Sequence, residues 1–215
     1  MAINPIMIKI GVLGSGSGSN FAAIAAAINL KKIIGAEISI VISDVENAKI
    51  LDRAAALGIP NKYIPADDFK TKLDGKQEQN YIAALKSADV DYIILAGFMR
   101  MIKNGLLNAF PQKIINIHPA LLPAFPGLHS WKQALDYGAK FAGCTVHFVD
   151  AGMDSGPIIA QAAVPIEDND TAETLHARIQ VQEHIIFPEV IQLLADGKVK
   201  IEGRRVKTEN CASNI

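Results

Sequence analysis

Two polar side chains interrupt an otherwise apolar run. In KIINIH (113–118), Asn116 and His118 stand where further isoleucines would be expected of a buried strand. Side chains alternate along a strand, so the two share a face with Cα atoms about 7 Å apart and can address one substrate atom together. Pro119 cannot continue a central strand and biases His118 toward extended backbone, which sets the imidazole at the strand's carboxyl end. Hydrogen-bonded structural residues closing a strand would look the same.

A carboxylate hydrogen-bonded to an imidazole fixes its orientation and favours its charged form. Asp154, in the glycine-flanked turn DAGMDSGP (150–157), can serve His118 in this way, and it can equally belong to its turn for local reasons. LGSGSGSN (13–20) offers glycines that let backbone N–H groups approach a ligand, ahead of a helix N-terminus that favours an anion. A phosphate suits it, although the spacing matches neither G-x-G-x-x-G nor G-x-x-x-x-G-K-[ST], and a tight turn with no ligand also fits. Gln180 and Glu183, three apart on one helix, are neighbours, as they would be on a solvated polar face. His118, His129, His147, His176 and His184 form no metal-binding spacing, and no metal is expected.

The elements that must position these residues follow from periodicity. MIKIGVLGS (7–15) and EISIVIS (37–43) read as strands, with helices over 20–32 and 47–58, the second closed by Gly58. A brief strand at 61–65, a polar loop over 66–80 leading into a helix, a buried strand at 91–98 and a short helix at 104–110 lead to KIINIH. Alternating strands and helices predict an α/β, Rossmann-like, mostly parallel twisted sheet with helices on both faces. Such sheets bind ligands at the carboxyl ends of their strands. FAGCTVHFVD and PIIAQAAVPIED are joined by too few residues for a crossover helix and predict an antiparallel pair. A long helix should follow, with Asp170 and Glu173 in capping-box spacing, Gly197 near its end and Pro188 kinking or splitting it. VKIEGRRVKT predicts a terminal hairpin.

With 215 residues, the chain is read as one domain of two halves, about 1–112 with the phosphate-suited turn and about 113–215 with Asn116, His118 and Asp154. Its 21 basic and 22 acidic side chains leave a formal charge of −1, which argues against a nucleic-acid partner. No apolar run approaches the roughly 20 residues needed to span a bilayer. Cys144 and Cys211 have neither metal nor disulfide-scaffold spacing and are expected to be free thiols. The N-terminus carries no signal-peptide pattern, so the cytoplasm is the expected location. The chain is expected to act as a monomer or a homodimer on small-molecule substrates.

GSGSGSN (14–20), LAGFMR (95–100), NIHPALLPAFPGLH (116–129), TVHFVDAGMDSGPII (145–159) and RIQVQEH (178–184) together resemble the phosphoribosylglycinamide formyltransferases, folate-dependent enzymes of purine synthesis. NIHP and LLP are shared with other formyltetrahydrofolate enzymes, whereas PGLH with QEH narrows the likeness. The resemblance implies transfer of a formyl group from 10-formyltetrahydrofolate to the amine of 5-phosphoribosylglycinamide through a tetrahedral oxyanion. Asn116 would donate to that oxyanion, His118 would act as general acid, and Asp154 would keep His118 protonated. It implies phosphate at Gly18, Ser19 and Asn20, glycinamide near Gln180 and Glu183, and folate at Met99, Arg100, Met101, Ile102, Asn116 and the loop from Asp150 to Asp154. On its residue type alone Met99 could instead be core. Where many members carry S-R-x-x-[FY], this chain reads DGKQEQN, and Lys76 stands in as a point charge near phosphate or folate. The rivals are a formyltetrahydrofolate hydrolase, expected to carry an extra N-terminal domain, and a non-catalytic nucleotide-binding module. A tRNA-directed formyltransferase would carry a C-terminal RNA-binding module.

Overall fold

The computed structural model describes residues 7–66 and 71–208. β1 (Ile8–Leu13) sends Ile10 and Val12 to one face and Leu13 to the other, all buried. A parallel strand covered on both sides must do this. The glycine-rich turn leads into α1 (Ser19–Asn29), which stops three residues short of the predicted end as Lys31 turns to φ 55. β2 (Ala36–Ser43), α2 (Lys49–Ala56) and β3 (Asn61–Tyr63) follow, and Gly58 closes α2 at φ 68 as expected.

Part of the polar stretch expected to be a loop, residues 67–70, lies outside the described residues. The rest leads into α3 (Gly75–Ser87), capped by the Asp74 carboxylate, which accepts from Gly75 N–H at 2.8 Å. β4 (Tyr92–Leu95), α4 (Asn104–Ala109) and β5 (Ile114–His118) complete the parallel part. An element the sequence reading passed over, α5 (Ser130–Tyr137), follows β5. It has only 8 residues, too few for its periodicity to stand out after the proline-rich segment.

β6 (Phe141–Phe148) and β7 (Ile158–Pro165) pair antiparallel with each other, and β6 pairs antiparallel with β5. The seven-stranded sheet runs β3-β2-β1-β4-β5-β6-β7. α6 (Ala172–Ala195) then crosses one face, and β8 (Val199–Glu202) with β9 (Arg205–Thr208) forms the predicted hairpin. One expectation for α6 needs correction. Its cap is Thr171, boxed with Thr174, because Asp170 lies one residue outside the helix and accepts from Thr174 and Arg178 instead. Pro188 sits inside the helix without splitting it.

One core packs α1, α2, α5 and α6 against the sheet through Phe21, Ile50, Ala134 and Phe187, and the other packs α3 and α4 through Tyr81, Leu85 and Leu106. The chain order reverses between β1 and β4, so the turn after β1 and the segment after β4 flank a crevice at the carboxyl edge. The segment after β4 is held from below. Lys103, the residue capping α4, contributes no side-chain bond, and buried Glu78 of α3 instead accepts from Leu106 N–H at 2.9 Å. Gly105 makes room for it, since a Cβ there would lie 2.2 Å from Glu78 Oε2.

Replacing Glu78 by Ala leaves that N–H buried and unpaired, at a cost of about 1–3 kcal/mol. Urea unfolding of Glu78→Ala should show a lower midpoint with an unchanged slope. An unchanged midpoint would show that Glu78 does not support α4.

Candidate active site

β5 places Asn116 and His118 on the face that also holds Ile114, toward α3 and α4. His118 is 5 % exposed. Its Nδ1 lies 3.4 Å from Asp154 Oδ2, and its Nε2 lies 3.0 Å from the Phe125 carbonyl oxygen. Both of these atoms only accept, so an imidazole carrying a hydrogen on each nitrogen satisfies both at once.

Asp154 takes φ 49 in the turn between β6 and β7, and its Oδ2 also accepts from Gly127 N–H at 2.8 Å. The left-handed backbone and this amide hold the carboxylate toward His118. Asp150 anchors the start of the same turn, where its Oδ1 accepts from Gly152 N–H at 3.0 Å and from the Ser155 hydroxyl at 2.6 Å.

The antiparallel register sets Asn116 opposite His147, and Asn116 Nδ2 lies 3.2 Å from His147 Nε2. His147 is buried, which pushes its pKa down against the opposing pull of the Phe148 carbonyl and Asp154. His147 Nε2 is also 3.9 Å from Asp154 Oδ1. Asn116, His118, His147 and Asp154 therefore form a closed group, and the structure brings together all three residues proposed for catalysis. On the opposite face of β6, Cys144 is buried with its thiol pushed up to about 12, which leaves it inert, and Cys211 lies outside the described residues.

Gly18 opens α1 at φ 71, where a Cβ would meet Ile50 at 2.7 Å, and no side chain caps the helix. Ser19 and Asn20 form its first turn, and Asn20 Nδ2 donates to Glu183 Oε2 at 2.9 Å. Glu183 is 5 % exposed, so the solvated polar face does not hold for it. Leu175, Ile179, Glu183 and Phe187 recur every fourth residue of α6, which puts the carboxylate on the helix's buried stripe. Burial pushes the Glu183 pKa up, partly opposed by Asn20. Gln180 is half-buried one turn before it.

Met99 is 59 % exposed and so is not core. Arg100 Nε donates to Asp44 Oδ2 at 2.7 Å, and the Ser15 hydroxyl donates to Asp44 Oδ1 at 2.5 Å while accepting from Met99 N–H at 2.9 Å. Buried Asp44 thus ties the glycine-rich turn to the segment after β4. Met101 is half-buried and bridges Lys72, whereas the Ile102 side chain is spent in the core and leaves only backbone for a ligand. Lys76 is exposed on the first turn of α3. Among the described residues, no cluster suited to a metal ion occurs, and no helix is long and apolar enough to cross a membrane.

Sequence reasoning missed His147, Asp44 and the Phe125 carbonyl. Asp44 had a signal, a carboxylate directly after a parallel strand, at the edge where such sheets bind ligands. His147 depends on the β5–β6 register, and the carbonyl on the path of the proline-rich segment; neither has a sequence pattern.

Residues 8–191 match the family model described as formyl transferase. A Bacillus subtilis phosphoribosylglycinamide formyltransferase is 45% identical over 87% of this chain and 95% of its own length. The chain belongs to the formyl transferase family, in the branch of the phosphoribosylglycinamide formyltransferases. The crystal structure of glycinamide ribonucleotide transformylase 1 from Symbiobacterium toebii superposes with a TM-score of 0.92 at 45% identity, covering 98% of both chains. A trifunctional purine biosynthetic protein adenosine-3 of Drosophila pseudoobscura pseudoobscura is also 45% identical over 89% of this chain, which spans only 14% of that longer protein. The Rossmann-like, mostly parallel sheet is that of the formyltransferase structures.

Because its folded-state pKa is raised, Glu183 contributes stability below its ordinary value of 4.5 and loses that contribution as pH climbs through the raised value. Glu183→Gln keeps an acceptor for Asn20 and should remove this loss. Denaturation midpoints measured from pH 4 to 8 should show the variant gaining on the wild type as pH rises; parallel profiles would contradict the burial assignment.

Proposed function

We propose that this formyl transferase moves the formyl group of 10-formyltetrahydrofolate onto the glycinamide amine of 5-phosphoribosylglycinamide, a step of purine biosynthesis. The observation that carries the reading is the convergence of Asn116, His118 and Asp154 at the sheet's carboxyl edge, beside a crevice flanked by Gly18 and Met99.

The residues fit both substrates. The N-terminus of α1 after Gly18, with Ser19 and Asn20, takes the phosphate, and buried Glu183 with Gln180 takes the glycinamide end of the ribonucleotide. Exposed Met99, half-buried Arg100 and Met101 and the backbone of Ile102 form the folate side, opposite the loop from Asp150 to Asp154, with Lys76 as a further charge for the phosphate or the folate tail.

In the reaction, the amine attacks the formyl carbon. A C–N bond forms and the carbonyl π pair moves onto oxygen. Asn116 donates an N–H to that oxyanion, a contribution on the order of 3–4 kcal/mol of barrier for comparable donors. His118, oriented by Asp154, supplies charge stabilisation and acts as general acid. Collapse re-forms the carbonyl and breaks the bond to the folate nitrogen, which leaves with a proton while the attacking nitrogen gives one up. No metal takes part in this scheme.

His118→Ala and Asp154→Asn should each lower kcat by about 10²- to 10⁴-fold while changing ribonucleotide affinity by less than about threefold. Unchanged turnover in both variants would refute the assigned roles. Incubating the protein with both substrates should yield formylated ribonucleotide; formate alone would instead identify a hydrolase, and phosphate binding with no turnover a non-catalytic nucleotide-binding module.

A further inference from the structure

His147 touches neither the sheet's apolar cores alone nor solvent, but the amide that the proposed reaction depends on. It is 2 % exposed, on the interior strand β6, directly opposite Asn116. Its Nδ1 lies 2.8 Å from the Phe148 carbonyl oxygen. A carbonyl only accepts, so Nδ1 carries the hydrogen. In the neutral ring Nε2 then has a lone pair and must accept.

The atom 3.2 Å from Nε2 belongs to Asn116. With the amide reversed, its carbonyl oxygen would set one lone pair against another, so an N–H has to point at the ring. The second N–H of the same planar group, some 120° away, is thereby aimed elsewhere. We propose that His147 is a positioning residue: locked as the Nδ1–H tautomer by Phe148, it orients the Asn116 amide so that its remaining N–H meets the reacting formyl oxygen. This rests on the reading of Asn116 as oxyanion donor.

The groups facing the ring are Asp154, His118, Asp150 and the Phe148 carbonyl. Asp154, Asp150 and the carbonyl favour a charged ring, in which Nε2 would donate and turn the amide over; His118 and burial oppose them. Burial is the largest of these influences, and it favours the neutral ring. The same ring nitrogen is also 3.9 Å from Asp154 Oδ1, so a proton on Nε2 would draw Asp154 away from His118 as well. An imidazole kept neutral here therefore protects two catalytic orientations.

The test is a double-mutant cycle on kcat with wild type, His147→Leu, Asn116→Ala and the double variant. Leu removes the acceptor at similar volume, and His147→Gln restores one. His147→Leu should lower kcat by about 10- to 100-fold with KM for both substrates within about threefold, and should add less than about threefold in the Asn116→Ala background. His147→Gln should recover most of the loss. Multiplicative losses, or full turnover in His147→Leu, would overturn the role of His147 and leave Asn116 untouched. Full turnover in Asn116→Ala would overturn the reading of Asn116 itself. Should His147→Leu fail to fold, the imidazole ¹⁵N spectrum of the wild type decides: a proton on Nδ1 alone near neutral pH is expected, and one on Nε2 would overturn the proposal.

Discussion

A nearly buried imidazole held between a carboxylate and a carbonyl is the constraint on which the rest of this structure turns. His118 Nδ1 lies 3.4 Å from Asp154 Oδ2 and its Nε2 lies 3.0 Å from the Phe125 carbonyl oxygen, so a hydrogen on each nitrogen would face an acceptor. Burying such a pair costs solvation that its mutual attraction alone does not recover, so further hydrogen bonds must hold it. They are present: Gly127 donates to Asp154, and the positive φ of Asp154 fixes the approach. The carboxylate that faces His118 is thus held by the backbone of two separate loops.

The switch from parallel to antiparallel pairing at β5 follows from the same need. Three parallel neighbours bring the glycine-rich turn, Asp44 and Met99 to one edge, while the turn between β6 and β7 leaves beside Ile114, at the amino end of β5, and reaches back so that Asp154 Oδ2 lies 3.4 Å from His118 Nδ1. Asp44 joins the turn after β1 to the segment after β4 through Ser15 and Arg100, so the two walls of the crevice share one buried carboxylate. Glu78 does the equivalent from below α4.

Much of this was legible in the residues, for identifiable reasons. Ile114, Asn116 and His118 alternate, and period-2 alternation is local, so their shared face could be read directly. The parallel sheet followed from strand and helix periods, and the antiparallel pair from a short connection. Glu183 was legible in principle, as an acid on a four-residue apolar stripe, yet Gln180 beside it suggested a polar face. The cap of α6 was misplaced by one residue because Asp170 and Thr171 both suit a helix start, and backbone geometry decides between them. His147 and the Phe125 carbonyl were not legible, because register between strands and the path of a proline-rich loop are settled by tertiary packing rather than by local pattern.

The central claim is spatial: one formyl oxygen is met by an amide and an imidazole that a carboxylate orients. A crystal structure with 5-phosphoribosylglycinamide and a folate analogue whose acyl group cannot transfer tests it most directly. The account predicts that the acyl oxygen lies within about 3.2 Å of Asn116 Nδ2 and within reach of His118, with Asp154 still paired to the ring. An acyl group seated elsewhere in the crevice, or Asp154 turned away from His118 with both ligands bound, would contradict it.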